Sequence, residues 1–478
     1  MVPKPDRVFA RDAEWRHLAR FAAGAGRRPQ LGVISGRRRQ GKTFLVEALA
    51  RETNGFYFGA TEATETESLR LFSTALTEHV QPATPYRFGD WNEAMRQLVA
   101  LSAERREVMV IDEFPYLSKA SPTLPSIIQR EIDRAIAEDL PASLLLCGSA
   151  MSVMGRLLAG NAPLRGRASM ELVIRPFDYR LAARYWGIED FRLAVQAHAV
   201  VGGTPAYLRF VSDDTPRGPG DFDDWVRRTV LDPGIPLFRE ARYLLEEAAD
   251  VRDSALYHSV LAAVATGNGT RGGIAAYIGR KAADVGHHLN VLEDSSLLRR
   301  DPDVFRSSRS VYRVSEPLIT FYQVVMRPRW GLLESGRAEA VWKDSRTRFR
   351  DQVLGPHFEE LCRAFARAED VFGELPGDVG AGVVTDAGRR EQIEVDVVVF
   401  APAMPGEPRR ILSLGEAKWG RTMGSGHSGR LRRARDVLGA KGYDVRDTVI
   451  ACYSGTGFDA ALRAEPDVRA IGLDELYG

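Results

Sequence analysis

Short apolar runs alternate with longer stretches of helical periodicity along the amino-terminal part of the chain. The apolar runs cover residues 31–34, 56–59, 108–111, 143–147 and 170–174, a length typical of strands buried on both faces. Strands that alternate with helices predict a parallel sheet, because a crossover must carry the chain back before each new strand. Such a sheet binds its ligand at the carboxyl ends of the strands.

The loop after the first apolar run has the pattern of a phosphate-binding loop. Residues 36–43 read Gly-Arg-Arg-Arg-Gln-Gly-Lys-Thr, with a strand before and a helix after them. The glycines leave room for backbone amides around phosphate oxygens, and the positive end of the helix faces the same anion. Lys42 would reach the β- and γ-phosphates of ATP, and Thr43 would hold Mg²⁺. The alternative is a chance glycine loop. The predicted nucleotide-binding residues here are Gly36, Arg37, Arg38, Arg39, Gln40, Gly41, Lys42, Thr43 and Phe44.

The third and fourth apolar runs also end in polar residues. Asp112 and Glu113 follow the run at 108–111, and Ser149 follows the run at 143–147. Asp112 would hold the Mg²⁺ shell through water, and Glu113 would polarise the attacking water as a general base. The alternatives are a buried strand that simply ends in acids, and a terminal serine that serves a turn.

Length, charge and cysteine content limit the classes of protein to which this chain can belong. At ~150 residues per domain, 478 residues correspond to about three domains. The net charge is +1, so nucleic-acid contacts must come from local patches. Three cysteines far apart in the sequence argue against disulfides and zinc and indicate reduced thiols in a cytoplasmic protein. The amino terminus has no apolar signal core, and no run of ~20 apolar residues predicts a membrane span.

Residues 1–178 are predicted to form the ATPase core, and residues 179–249 a helical lid. Within the core, residues 163–167 read Pro-Leu-Arg-Gly-Arg. Arg167 could act as an arginine finger on the γ-phosphate of a neighbouring subunit, which would require a homo-oligomer. A surface charge is the alternative.

Residues 250–330 are predicted to form a winged helix-turn-helix. Helical spacing at 257–265, 271–279 and 281–294 is followed by a hairpin between 297 and 314. The hairpin is basic, as contacts with the phosphates of double-stranded DNA require. A packing module between the ATPase and the C-terminal domain is the alternative. The basic residues are Arg299, Arg300, Arg306, Arg309 and Arg313.

After a predicted linker at 331–350, residues 351–478 carry isolated charges in apolar segments. Glu359 lies near the start of a helix, Asp396 within an apolar strand, and Glu416 and Lys418 on one face of a second strand. A solitary charge in an apolar strand is costly unless it binds something. Three acids and a lysine suit a Mg²⁺ site in which Lys418 steadies the attacking hydroxide or the scissile phosphate. The alternative is a structural aspartate and an edge-strand Glu/Lys pair.

Four segments resemble the archaeal-type ATPases related to the AAA+ and STAND classes. They are the loop at 36–43, the Asp-Glu-Phe-Pro-Tyr-Leu run at 112–117, the Gly-Gly-Thr-Pro motif at 202–205 and the winged helix. Residues 355–478 resemble a domain of unknown function often fused to these ATPases, which is similar to the PD-(D/E)XK nuclease fold. The resemblance implies an α/β protein with a P-loop ATPase parallel sheet, a helical lid, a winged helix-turn-helix and a C-terminal restriction-endonuclease-like domain.

The resemblance also implies roles for individual residues. Arg11, in an F-x-x-R-x-x-E-x-x-x-L entry helix, and Pro205 would lie near the adenine, and Ser149 would be a sensor of the γ-phosphate. The implied ATPase residues are Lys42, Thr43, Asp112 and Glu113, and the implied nuclease residues are Glu359, Asp396, Glu416 and Lys418.

The sequence therefore predicts an ATP-hydrolysing, DNA-binding protein whose nucleotide state controls a Mg²⁺-dependent DNA nuclease. Two alternatives stay open. One is a non-cleaving regulator in which ATP gates the binding of DNA or protein and the nuclease fold only grips phosphate. The other is a signalling ATPase whose target is a protein.

Overall fold

The computed structural model describes residues 2–248, 254–368 and 370–478, and these divide into two compact units. The first unit takes the chain up to Pro176 together with Thr204–Ala206. The second unit takes Phe177–Gly203 and Tyr207–Gly478. Within the described ranges, no helix is both long enough and apolar enough to cross a membrane.

Parallel strands with helices between them build the first unit. The strand order is β2-β3-β4-β1-β5 and each neighbouring pair is parallel, which confirms the predicted sheet. Its elements are α1 (Asp12–Ala23), β1 (Gln30–Ser35), α2 (Lys42–Glu52), β2 (Phe56–Gly59), α3 (Glu65–Val80), α4 (Trp91–Arg105), β3 (Val108–Asp112), α5 (Phe114–Ala120), α6 (Leu124–Ala137), β4 (Ser143–Gly148), α7 (Met151–Leu158) and β5 (Ala168–Val173).

Helices cover both faces of this sheet. Strands β1, β3 and β4 are buried along their full length. One apolar cluster joins the sheet to α3, α4 and α6, and a separate cluster joins it to α1 and α2. Because side chains alternate between the two faces of a strand, a strand covered on both faces is apolar at nearly every position, as the sequence shows.

The second unit begins with helices that share a core with the C-terminal end of the chain. The Tyr179 hydroxyl donates to the Leu476 carbonyl at 2.7 Å, and the Phe191 and Tyr477 rings stack with centroids 4.9 Å apart. These helices therefore belong to the same folded body as the C-terminal residues. They are α8 (Tyr179–Trp186), α9 (Phe191–Val201), α10 (Ala206–Phe210), α11 (Phe222–Arg228) and α12 (Leu237–Ala248), with a 3₁₀ turn at Pro219–Asp221.

Three helices and an antiparallel hairpin follow, as predicted for a winged helix. They are α13 (Ser254–Ala265), α14 (Arg271–Tyr277), α15 (Gly286–Asp294), β6 (Leu298–Asp303) and β7 (Arg306–Val314). The third helix begins at Gly286 rather than at Lys281. The reason is a local turn, in which the Asp284 carboxylate accepts a bond from the Lys281 backbone amide at 3.3 Å.

The segment predicted to be a linker is helical, and one face of it packs into the core. Leu333, Val341 and Phe349 are buried, and the fully buried Trp342 donates its indole N–H to the Asp223 carboxylate at 2.9 Å. The segment therefore contributes to the core of the second unit. The elements that run from the wing through this segment are α16 (Pro317–Phe321), a π-helix at Tyr322–Met326, a 3₁₀ turn at Arg327–Arg329, α17 (Trp330–Glu334), α18 (Ala338–Arg348) and a π-helix at Phe349–Leu354.

A second five-stranded sheet completes the chain, in the order β12-β11-β10-β9-β8. Strands β8, β9 and β10 are antiparallel, whereas β10, β11 and β12 are parallel. Helix α19 packs with one apolar cluster and α20 with another, so both faces of the sheet are covered. The elements are α19 (Gly355–Ala368), β8 (Val379–Asp386), β9 (Glu391–Phe400), β10 (Ile411–Lys418), α20 (Ser425–Ala440), β11 (Val449–Ser454), α21 (Ala460–Arg463), β12 (Val468–Ile471) and α22 (Leu473–Tyr477).

If residues 331–350 belong to the core, Trp342→Ala should destabilise the protein strongly. Removal of a fully buried tryptophan from a packed site costs about 3–5 kcal/mol. The measurement is the free energy of unfolding in urea, followed by circular dichroism. Leu332→Ala on α17, where the side chain is 44% exposed, is the matched control and should stay within about 0.5 kcal/mol of wild type. Equal, small effects of both substitutions would contradict the assignment.

Candidate functional site

The loop between β1 and α2 has a backbone that demands glycine at two positions. Gly36 has a φ of 153°, and a Cβ there would lie 2.4 Å from the Ile174 carbonyl oxygen. Gly41 has a φ of 85° and is the N-cap residue of α2. A side chain at Gly36 would push the loop away from β5, and one at Gly41 would strain the start of the helix. The loop at 36–43 therefore forms between strand and helix as predicted.

Lys42 is folded back onto this loop. Its side chain is buried, and Nζ donates to the Arg37 carbonyl at 2.9 Å. Burial lowers the pKa of Lys42, while the carboxylates of Glu113 and Asp112 act in the opposite direction. The ammonium thus lies against the loop backbone at the amino end of α2, where an anion is favoured. Thr43 and Phe44 follow on the exposed side of the first turn of α2.

Asp112 lies at the carboxyl end of β3, where Tyr57 from the neighbouring strand β2 orients it. The Tyr57 hydroxyl donates to Asp112 Oδ2 at 3.2 Å, and the Glu113 backbone amide donates to Oδ1 at 2.8 Å. Burial and the nearby Asp112 carboxylate raise the pKa of Tyr57, so its hydroxyl remains a donor. Sequence reasoning missed Tyr57. The signal that could have found it is its position in β2, because β2 is the neighbour of β3, which ends in Asp112 and Glu113.

Glu113 and Ser149 meet at the ends of two neighbouring strands. Glu113 has a φ of 50°, and its Oε2 accepts a hydrogen bond from Ser149 Oγ at 2.9 Å. Arg38 of the loop donates from Nε to Ser149 Oγ at 3.4 Å and from Nη2 to the Tyr116 hydroxyl at 2.7 Å. The structure thus brings the predicted base and the predicted sensor residue together. Tyr116, one turn after Glu113 on α5, was not predicted to take part.

Arg11 reaches the same loop from the N-terminal helix. It has a left-handed backbone, with a φ of 58°, and is largely buried. Its guanidinium donates to the Gln40 carbonyl at 3.3 Å and to Glu14 Oε1 at 2.8 Å. Arg11 therefore positions the loop backbone. Its contact with adenine stays a prediction, as does that of Pro205, which belongs to the Thr204–Ala206 segment of the same unit.

Arg167, the predicted finger residue, and the nearby Arg165 are each held by neighbours of their own unit. Arg167 makes a two-pronged pair with Asp133, with distances of 2.6 Å from Nε and 2.8 Å from Nη2. Arg165 donates to the Gly160 carbonyl at 2.5 Å. A two-pronged arginine–carboxylate pair fixes the direction of the side chain. In this structure the predicted finger is thus anchored to α6.

Three of the four predicted residues of the C-terminal site lie in direct contact. Lys418 Nζ is 3.4 Å from Asp396 Oδ2 and 3.2 Å from Glu416 Oε1, and Asp396 also accepts the Ala417 amide at 3.0 Å. Burial opposes the charge of Lys418, but the carboxylates of Asp396 and Glu416 outweigh it and raise the pKa of the amine. The strands β9 and β10 therefore place an acid, a second acid and a lysine at one point.

The same site contains a cation that sequence reasoning missed. Arg430 of α20 pairs with Glu416 Oε1, while Glu416 Oε2 is buried and has no hydrogen-bond partner in the described part of the protein. Among the described residues, no three His, Cys, Asp or Glu side chains are arranged to hold a metal ion. Glu359, Asp396 and Glu416 are thus not gathered as a ligand set here. Lys418 and Arg430 supply the positive charge instead, and the residues as placed do not form a Mg²⁺ cage.

Glu359 of α19 lies in the same electrostatic neighbourhood. Burial, together with the Asp396 carboxylate, raises its pKa to about 7, against the effect of Arg363 and Arg313. Arg363 Nη1 is 3.9 Å from Glu359 Oε2 and also donates to the Asp396 carbonyl at 2.8 Å. Burial and the Asp396 carboxylate thus favour the neutral form of Glu359.

Three of the five wing arginines have partners within the second unit, whereas Arg300 is exposed; the contact of the wing with DNA stays a prediction. Arg299 pairs with Asp301 at 3.2 Å and with Glu360 of α19, Arg313 lies 3.1 Å from Asp301, and Arg306 donates to Thr385 of β8. These arginines neutralise carboxylates or bond to hydroxyls of the second unit.

The tip of the wing packs on the C-terminal sheet. The Val304 amide donates to the Ala381 carbonyl at 3.1 Å, and a Cβ at Gly382 would come within 2.5 Å of the Phe305 ring. The glycine next to the tip allows this close approach. Both features agree with the alternative of a packing module for this hairpin.

Comparison with known proteins places the fold of the chain. No protein-family model matches it. An uncharacterized protein of Methanocaldococcus jannaschii, MJECL04, is 26% identical over 350 residues, which are 72% of this chain and 74% of the relative. The solved Walker-type ATPase PABY2304 of Pyrococcus abyssi is similar with a TM-score of 0.52 and 18% identity, over 67% of this chain and 97% of that chain. The ORC2 protein of Aeropyrum pernix follows, with a TM-score of 0.46 and 13% identity, over 73% of this chain and 97% of that chain. The similarity to the Pyrococcus protein shows the fold of a Walker-type ATPase.

The raised pKa of Glu359 predicts a pH dependence of stability. An unfolded glutamate ionises near 4.5, whereas the folded protein holds this proton until about pH 7, so stability falls as the pH rises between these values. Relative to Glu359→Gln, the wild type should lose roughly 2 kcal/mol between pH 5 and pH 8, given 1.36 kcal/mol per pKa unit. The measurement is urea unfolding of both proteins across this range without divalent cations. Glu339→Gln, at a residue 84% exposed, is the control and should give a flat difference. A flat difference for Glu359→Gln would refute the assignment.

Proposed function

We propose that this chain hydrolyses ATP in its first unit and that the nucleotide state controls a DNA-directed second unit. One observation carries the proposal. The loop at 36–43 holds a buried ammonium against its own Arg37 carbonyl at the start of α2, near the Glu113 carboxylate that Ser149 bonds. Gly36 lets the loop pack against the Ile174 carbonyl, and the amino end of α2, which begins at Lys42, favours a phosphate at this loop. The likeness in fold to a Walker-type ATPase supports the proposal.

Several residues of the first unit have distinct roles in ATP hydrolysis. When bound, MgATP supplies the terminal phosphorus that is attacked and the ADP that leaves. Lys42 would exchange the Arg37 carbonyl for phosphate oxygens, and Thr43 and Asp112 would hold the Mg²⁺ ion. Glu113 accepts the proton of the attacking water, and the Ser149 hydroxyl keeps its carboxylate in place.

Within the second unit, the finer proposal is cleavage of DNA by the Asp396, Glu416 and Lys418 group. Its support is the convergence of two acids and a lysine on neighbouring strands. Lys418 would hold a phosphate oxygen, and an ionised Glu359 would add a further carboxylate above pH 7. Contact with DNA would come from exposed residues of α14, of α15 and of the turn between them, together with Arg300 of the wing. The residues before the wing are Tyr277, Arg280, Lys281, His287 and Asn290.

A second candidate is a non-cleaving regulator that grips DNA under the control of ATP. The observation in its favour is the Arg430–Glu416 pair, which places a cation where a metal-dependent nuclease needs a free carboxylate. Lys418 and Arg430 can both donate hydrogen bonds to a phosphate, whereas their pairing with the two acids leaves fewer free carboxylate oxygens for Mg²⁺.

The ATPase assignment is tested first by two substitutions. Lys42→Ala should weaken ATP binding at least about 100-fold, because charged contacts to two phosphates are lost. Glu113→Gln should bind ATP normally and turn it over about 10²–10⁴-fold more slowly, because the general base is lost. Calorimetry gives the affinities and phosphate release gives the rates. Glu52→Gln, at an exposed residue of α2, is the control. Normal turnover by Glu113→Gln would contradict the role of Glu113.

The action on DNA is tested with supercoiled and linear plasmid, with Mg²⁺ or Mn²⁺, and with or without ATP. If the C-terminal group cleaves, Asp396→Ala and Lys418→Ala should abolish cutting but retain the ATPase rate. Asp436→Ala, at a residue 70% exposed on α20, is the control and should cut normally. A wild type that binds DNA in an ATP-dependent gel shift without cutting would establish the regulator. The lack of any salt-dependent DNA affinity would exclude both functions and favour a signalling ATPase.

A further inference from the structure

Arg192, in the first turn of α9, contacts the chain beside Lys418. Its Nη1 donates to the Gly455 carbonyl at 2.7 Å, and its guanidinium lies over the Trp419 ring, with Cζ 4.8 Å from the centroid. The Gly455 amide in turn donates to the Lys418 carbonyl at 3.1 Å. Through its carbonyl and its amide, Gly455 therefore links the Arg192 guanidinium to the backbone of Lys418.

Trp419, the residue after Lys418, contacts two further parts of the second unit. Its ring centroid is 5.3 Å from that of Phe358 on α19, the residue before Glu359. The ring also lies so close to the Gly455 backbone that a Cβ there would be 2.2 Å from Cε3 of the indole. Because the backbone of Trp419 continues the end of β10, contacts that fix this ring also limit where the Lys418 side chain can lie.

The other end of α9 leads directly into the first unit. The helix ends at Val201, and after Gly202 and Gly203 the chain enters the first unit as Thr204–Ala206. The Gly203 carbonyl accepts the amide of Phe177, the residue at which the chain first enters the second unit, at 2.8 Å. A Cβ at Gly203 would lie 1.8 Å from the Phe177 carbonyl oxygen, so no side chain fits there. A displacement of Thr204–Ala206 is therefore passed to α9 over two residues of closely packed backbone.

We propose that Arg192 is a positioning residue for Lys418, and that α9 carries the nucleotide state of the first unit to the C-terminal group through it. The inference rests on the proposed function, in which ATP in the first unit controls the action of the second unit on DNA. A shift of α9 moves the Arg192 guanidinium together with Gly455 and Trp419. The end of β10, from which Lys418 reaches a DNA phosphate, moves with them.

The test compares wild type with Arg192→Ala, Arg192→Lys, Lys418→Ala and the double variant Arg192→Ala with Lys418→Ala. Arg463→Ala, which removes an exposed arginine from α21, is the matched control. Fluorescence anisotropy measures the affinity of each protein for a labelled DNA duplex, with ADP and with a non-hydrolysable ATP analogue, while a parallel gel checks that the duplex is intact. Calorimetry measures the affinity for both nucleotides. Because Arg192 is itself exposed, its substitution leaves the core intact, and circular dichroism melts check this.

Arg192→Ala should lower the DNA affinity about 10-fold in the nucleotide state in which wild type binds DNA more tightly, the loss expected for one charged hydrogen bond. In the other state the affinity should change little, so the ratio of the two affinities falls toward one. Arg192→Lys should recover part of this ratio, because an ammonium keeps the charge over the ring and a donor. In the Lys418→Ala background Arg192→Ala should have no further effect, since it acts through Lys418. Nucleotide affinities should be unchanged throughout, and Arg463→Ala should behave as wild type.

Three results would overturn the inference while leaving the proposed function intact. The first is an equal loss of DNA affinity with both nucleotides in Arg192→Ala, which would make Arg192 a structural support only. The second is losses that add in the double variant, which would mean that Arg192 contacts DNA directly. The third is a wild-type ratio in Arg192→Ala. A wild type that binds neither nucleotide, or that binds DNA equally well with both, would overturn the proposed function itself, and this inference with it.

Discussion

The backbone of Gly36 approaches the Ile174 carbonyl so closely that no side chain fits between them, and the first unit depends on this contact. It joins the end of β1 to the end of β5, while the Ile174 amide donates to the Ser35 carbonyl at 2.8 Å. Parallel pairing brings the ends of β1, β3 and β4 to the same edge. The loop, Asp112 and Ser149 meet there because their strands stop together, although they are far apart in the sequence.

The phosphate loop and the parallel sheet were predictable because their signals are local. The glycine spacing and the five apolar runs each lie within a short window of sequence. The glycine spacing predicts a phosphate loop, and each apolar run predicts a buried strand. The Tyr57–Asp112 bond and the Arg38–Tyr116 bond were not predictable in this way, since each needs the strand order and a side-chain rotamer. Strand order follows from the packing of the whole unit, which no short window contains.

The C-terminal domain shows a different limit of sequence reasoning. Asp396, Glu416 and Lys418 meet as their strand positions indicated, yet Arg430 arrives from the helix on the other side of Glu416. The wing arginines looked like DNA contacts because their hairpin is basic by composition. Their partners Glu360 and Thr385 lie 60 or more residues away along the chain. Charge counted along the sequence therefore says little about which charges reach the surface.

The first unit is assembled from two separate pieces of chain, since Thr204–Ala206 returns to it after the polypeptide has entered the second unit. A protease that nicks the chain near Pro176 would therefore not release a whole domain. The return of residues 204–206 to the first unit also limits how the two units can be exchanged by recombination or by protein engineering. Exchange of everything after Pro176 between related proteins would carry Pro205 along with it. A recombined gene must therefore keep the two units together or restore residues 204–206 by design.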